Sequence, residues 1–186
     1  MSCDIEEFRK IILKGRKYNS YKFALVKFLL DYSKQCIVVE DKKIDYKVIA
    51  DAFLNYYWEQ VCKRDIKQVS DKQNIPFIVK IIKEYCNRKD IDKNEIIKEI
   101  AKECFKDVIP RFQYNNGTFY QHYHELQGGN YRMPSDDKRY IYLFKESIAC
   151  FRDNYELLNG EVIEEWERFL EKFNGDLDFK VGTFNL

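Results

Sequence analysis

The sequence predicts a mainly α-helical, multi-helix globular domain with one or two small β-hairpins. Three observations carry this. Apolar residues recur at helical spacing in seven separate segments of the 186 residues. One of them, Tyr18–Ser33, is apolar around most of its circumference. Strand signals, by contrast, are few and short.

Tyr18–Ser33 is the organising stretch. Asn19 or Ser20 is placed to cap a helix start, and Lys22, Lys27 and Asp31 are the only charged positions that follow. A helix apolar on nearly every side must be covered on several, so it belongs at the centre of a domain. It is too short and too often interrupted by charge to span a membrane.

The other elements follow in order. Asp4–Lys14 places Ile5, Phe8, Ile11 and Ile12 on one face, with Gly15 as a stop. Ile37-Val38-Val39, a polar turn and Ile44 read as a small two-stranded ribbon. Asp45 caps a helix to about Cys62, with a stripe of Val48, Ile49, Ala52, Phe53, Tyr56, Tyr57 and Val61. After a polar loop, Pro76 suits the first turn of a helix carrying Phe77, Ile78, Ile81, Ile82 and Tyr85. Asp92 caps the next, which Pro110 ends. Asn115-Asn116-Gly117 between aromatic runs predicts a hairpin, because a type I′ turn needs positive φ at both central residues. Gly128–Asp137 reads as a loop. Residues 138–158 read as a strand or helix start and then a helix with Leu143, Ile148 and Phe151. Glu161–Phe173 forms a last helix, closed by Asn174-Gly175. No linker forces a boundary, so residues 1–186 read as a single helical domain. A basic subdomain (1–90) and an acidic one (91–186) are the alternative division.

The overall charge of +1 hides an asymmetry. Residues 1–90 hold 19 basic against 13 acidic residues, and residues 91–186 hold 13 against 18. A polyanion would meet the first half. Arg16, Lys17, Lys22, Lys27, Lys63 and Arg64 are the candidate phosphate contacts, all expected at the surface, with solvated helix faces as the plainer alternative.

Six scattered cysteines with no C-x-x-C pair and no signal peptide read as reduced thiols of a cytoplasmic protein. His122 and His124 are the only histidines, and without a paired carboxylate motif they make a weak metal signal. Asp31 with Glu40-Asp41-Lys42 has the spacing of metal-dependent nucleases by chance, since the tripeptide falls in a turn. No nucleotide-binding loop or nucleophile motif is present. The expectation is therefore no cofactor, no metal and no catalytic residue.

Three segments occur in a telling order: Tyr18–Asp31, Ile49–Trp58, and Glu161–Asn174 followed by Lys180-Val181. Together they resemble the N-terminal region of bacterial HNH endonuclease-like proteins of restriction and phage defence, over nearly the whole chain. In that family the metal-binding HNH module follows the tryptophan-containing helix, and no residue here matches its motif. The resemblance implies an N-terminal part, or a separate counterpart, that engages DNA on behalf of a nuclease. The rival reading is a protein–protein interaction module of a defence complex. An enzyme centred on His122 and His124 is a third. The expected partners are DNA and a nuclease module or partner protein, with no membrane.

Overall fold

The computed structural model describes residues 4–14, 19–69, 74–113, 119–177 and 179–181. Its organising element is α2 (Tyr21–Gln35), which touches α1 (Ile5–Lys14), α3 (Tyr46–Trp58), α6 (Phe105–Phe112), α7 (Lys145–Asp153) and α8 (Tyr155–Asn174). Phe23, Ala24, Leu25, Val26, Leu29 and Leu30 are fully buried along it. Such enclosure follows from composition, because no side of this helix can face water without exposing a large side chain. The remaining helices are α4 (Phe77–Cys86) and α5 (Lys93–Glu103), and the fold is mainly α.

Local rules set several boundaries as expected. The Asp45 carboxylate accepts a hydrogen bond from the Lys47 N–H at 2.8 Å, and Asp92 does the same for Asn94. Gly175 closes α8 at φ +76°, a left-handed conformation that glycine adopts without a Cβ penalty. Ser20 precedes α2 but does not cap it. The Asn19 side chain instead accepts from the Tyr21 N–H at 3.1 Å.

Tertiary pairing decides the strands, and here the expectations change. Ile37 and Val38 do not form a ribbon: they are 95% and 58% exposed and belong to no strand. β1 (Lys42–Asp45) pairs antiparallel with β5 (Tyr140–Leu143), so Ile44 and Ile141 meet on the inner face. β2 (Tyr120–Gln121) adds to the other edge of β5, giving the order β1-β5-β2. The Asn115-Asn116-Gly117 turn lies outside the described residues. Its flanks do not pair as a hairpin, because Phe112 is helical and Tyr120 pairs with Leu143. The hairpin lies instead at Gly128-Gly129, joining β3 (Glu125–Gln127) to β4 (Asn130–Arg132), with φ of +57° and +78°.

Four helix readings are also corrected. α3 gives way at Glu59–Lys63 to a π-helical turn. Val48 and Phe77, assigned to apolar faces, are 45% and 52% exposed. Pro110 does not end a helix but sits inside α6, which is separated from α5 at Cys104. α8 begins at Tyr155 and carries Gly160 within it. The cysteine reading changes as well. The π-turn brings Cys62 against the end of α4, where it is joined to Cys86 with Cα atoms 5.7 Å apart.

One hydrophobic cluster takes in residues of all the helices from α1 to α8 and of β1, β2 and β5. Trp166 sits fully buried between Phe23 (ring centroids 6.1 Å), Tyr57 (5.6 Å) and Phe179 (5.4 Å). Leu29→Ala removes a fully buried side chain from the enclosed helix. Denaturant unfolding is expected to show a loss of roughly 2–5 kcal/mol.

Candidate nucleic-acid interface

The sequence-predicted cations do not form one group. Arg16 and Lys17 lie outside the described residues. Lys22 is half-buried on the first turn of α2. Lys27 departs most from the expected surface role, since its side chain is only 13% exposed and pairs with Asp31 one turn later. The Tyr56 hydroxyl donates to Asp31 Oδ2 at 2.6 Å, and the Tyr155 hydroxyl donates to Oδ1 at 2.8 Å. Burial first, and the adjacent carboxylate second, raise both phenols above their ordinary pKa, so they remain donors. Lys34 covers the outer face of Tyr155 at 3.8 Å from the ring centroid. This is a clasp fastening α2 to α3 and α8. The Lys27 ammonium is paired with Asp31 within this clasp, which gives it a structural part in the fold.

Removing Asp31 would leave the Lys27 ammonium enclosed by two phenols without a counter-charge. Asp31→Ala is expected to cost about 2–3 kcal/mol in denaturant unfolding. Lys27→Met, which retains the apolar stem, should cost less.

Lys63 and Arg64 stand at the end of the π-turn, which packs against α4. The Arg64 N–H donates to the Glu59 carbonyl at 3.1 Å, holding this corner in place. Lys83 reaches over from α4 to Asp65 at 2.6 Å. Lys63, Lys67 and Lys80 are exposed on this side and have no ion-pair partner among the described residues. Lys80 lies 5.3 Å from the centroid of the exposed Phe77 ring. Lys63 and Lys80 thus put such charge on two elements that pack together, with the Phe77 ring beside Lys80, and make a basic ridge.

A second surface lies on the small sheet. Tyr140 and Tyr142 alternate with the fully buried Ile141 and Leu143, so both tyrosines face outward. Tyr123 joins them, its ring centroid 4.9 Å from that of Tyr140, which is 5.3 Å from Tyr142. The Lys43 ammonium lies 4.0 Å over the Tyr140 ring. Beside Tyr123 opens a cavity of about 460 Å³, with Arg132, Met133, Pro134, Ser135 and Lys138 in its wall. Reading charge by position along the chain misses this surface. The alternation Tyr-Ile-Tyr-Leu was the available signal.

The two histidines do come together, with rings 5.4 Å apart, but no group of three His, Cys, Asp or Glu that could hold a metal occurs among the described residues. His122 Nδ1 accepts from the His124 N–H at 3.3 Å. His124 stacks on Tyr46, whose hydroxyl lies 3.3 Å from Nδ1, while Nε2 is enclosed without a geometric hydrogen-bond partner. Burial, reinforced by His122, pushes the His124 pKa down to about 4, against smaller opposing effects from the Phe105 backbone and Asp107. The ring is neutral at physiological pH and serves as a packing piece.

His124 therefore links folding to pH. Above the ordinary imidazole value of 6.5 neither state protonates it. Between 6.5 and about 4 only the unfolded chain takes up the proton, so stability is lost as the pH is lowered through that window. Unfolding free energies at pH 7 and pH 4 are expected to differ by on the order of 3 kcal/mol more in the wild type than in His124→Gln.

No curated protein and no solved structure matches the chain. A family model described as a domain of unknown function, DUF8808, matches residues 2–103, from α1 to the end of α5, including the Lys27–Asp31 pair and the ridge. That match takes in more than half of the 186 residues, and the chain belongs to the DUF8808 family.

Proposed function

We propose that this chain is a non-catalytic DNA-engaging or specificity domain that serves an HNH-type nuclease in bacterial restriction or anti-phage defence. The observation that carries the DNA-engaging part is the ridge at the π-turn and α4. Lys63, Lys67 and Lys80 are exposed there beside Arg64, and no carboxylate pairs with these lysines among the described residues. Flexible ammonium groups of this kind neutralise backbone phosphates and set register without reading bases. The nuclease partnership rests on the order of the three resembling segments. The cytoplasm is the proposed compartment. No helix among the described residues is long and apolar enough to cross a membrane. The bond between Cys62 and Cys86 would be reduced to a dithiol in that compartment.

A protein–protein role is the second reading. Ile37 and Val38 favour it, standing exposed on the connection between α2 and β1 where no described element covers them.

Electrophoretic shift of unrelated duplexes across a salt series separates the two. For about four phosphate contacts, log K against log[salt] should have a slope of roughly −3 to −4. The double variant Lys63→Ala, Lys80→Ala is expected to flatten it by about 2, for all sequences alike. Lys27→Met should leave it unchanged, because that charge is satisfied internally. Binding indifferent to salt, or absent at low salt, would favour the protein–protein reading.

A further inference from the structure

We propose that the outward face of the three-stranded sheet, together with the cavity beside Tyr123, is a site for an unpaired nucleotide of a single-stranded nucleic acid. The inference rests on the reading that this chain engages nucleic acid. It adds a second, chemically distinct contact to the phosphate ridge.

The ring row is the first argument. Tyr123, Tyr140 and Tyr142 form a continuous aromatic surface on a sheet whose other face already supplies the core through Ile44, Ile141, Leu143 and Tyr120. The three half-buried outward rings are not needed to fill that core. Aromatic rings on an open sheet face offer planes on which bases stack, and stacking tolerates any base because each has a π-face.

Charge is the second. Lys43 lies over Tyr140, and Lys43 and Lys138 both stand near enough to act on the Tyr123 hydroxyl, which is bonded to Tyr140. Arg132 stands in the cavity wall with Lys138. The carboxylates nearby are largely engaged. Asp45 caps α3, Asp136 pairs with Arg139 at 2.9 Å, and Asp137 accepts from the Ser135 hydroxyl. Glu125 remains in the cavity wall, where it suits an exocyclic amino group of a base. A ligand with a flat aromatic part and a phosphate satisfies both the rings and the cations.

Size is the third. About 460 Å³ falls within the range of small-ligand clefts and accommodates one nucleotide. Tyr123 is common to the ring row and the cavity, so a strand crossing the sheet can stack on Tyr140 and Tyr142 and lower one unit beside Tyr123.

The test is fluorescence anisotropy of the full chain with a labelled oligodeoxythymidylate and, separately, a blunt duplex. Single-strand binding is expected, weakened about tenfold by Tyr140→Ala or Tyr142→Ala. Tyr140→Phe, which keeps the plane, should bind nearly as the wild type. Duplex binding should be unaffected by Tyr140→Ala and reduced by Lys63→Ala, Lys80→Ala. Unchanged thermal midpoints show that the variants are folded. Duplex binding without single-strand binding overturns the site and leaves the ridge standing. Single-strand binding that ignores both alanine variants, or that Tyr140→Phe abolishes, also overturns it. Binding of neither probe overturns both readings and leaves the ring row to a protein partner.

Discussion

Everything in this molecule depends on enclosing α2. A fifteen-residue helix with buried side chains on nearly every side cannot lie on a surface, so α1, α3, α6, α7 and α8 are arranged around it. The same constraint dictates how its polar atoms must be treated. Ser20, fully buried just before the helix, donates to Gln68 Oε1 at 2.6 Å and contacts the Tyr57 hydroxyl at 2.8 Å. Gln68 in turn donates to Gln60 Oε1 at 2.8 Å. An unsatisfied polar group here would cost roughly 1–3 kcal/mol, which is why the segment after the π-turn folds back to meet the start of α2.

Tyrosines perform much of this joining, because each brings apolar area and one hydroxyl that must find a partner. The Tyr21 hydroxyl accepts the Ile78 N–H at 2.8 Å and so fixes the first turn of α4 against α2. Its other contact is the Cys104 thiol, whose pKa burial pushes up to about 12, so this cysteine is inert packing. The Tyr120 hydroxyl donates to the Ile109 carbonyl at 2.8 Å. Gln113 closes the same corner by accepting the Phe119 and Tyr120 N–H groups. The two-residue strand β2 is thus positioned by α6 as much as by its ladder, and β2 leads directly to His122, Tyr123 and the cavity.

What could be read in advance was whatever short-range chemistry determines. Asp45 and Asp92 announced helix starts, Gly175 a helix end, and the largely apolar circumference of α2 its central place. Pairing over long separations was not legible. Lys42–Asp45 carries no stronger strand signal than Ile37–Val39, and it is a strand because Tyr140–Leu143 lies beside it. Lys27 shows the same limit at a single residue. Its i,i+4 relation to Asp31 was visible, but its burial is set by Tyr155, which lies far along the chain. The Tyr-Ile-Tyr-Leu alternation carried the outward ring row. It gave no hint that Tyr123 and the Lys138 turn would stand next to it.

The charge asymmetry along the chain illustrates why composition is a poor map of a binding surface. A small part of it is met within the fold, by pairs that cross from the basic first half to the acidic second. Arg9 meets Glu161 at 2.6 Å and Lys34 meets Glu156 at 2.7 Å, both along α8. Lys93 and Asp51 pair across α5 and α3 with the signs reversed. Cations engaged this way are held in register with a carboxylate, and a polyanion would have to displace that carboxylate to use them. Some cations beside aromatic rings face no such competitor among the described residues. Lys80 over Phe77 and Lys43 over Tyr140 are of this second kind. Each offers a charge and a plane to the same incoming group, and both belong to elements whose inner faces are already committed to the core.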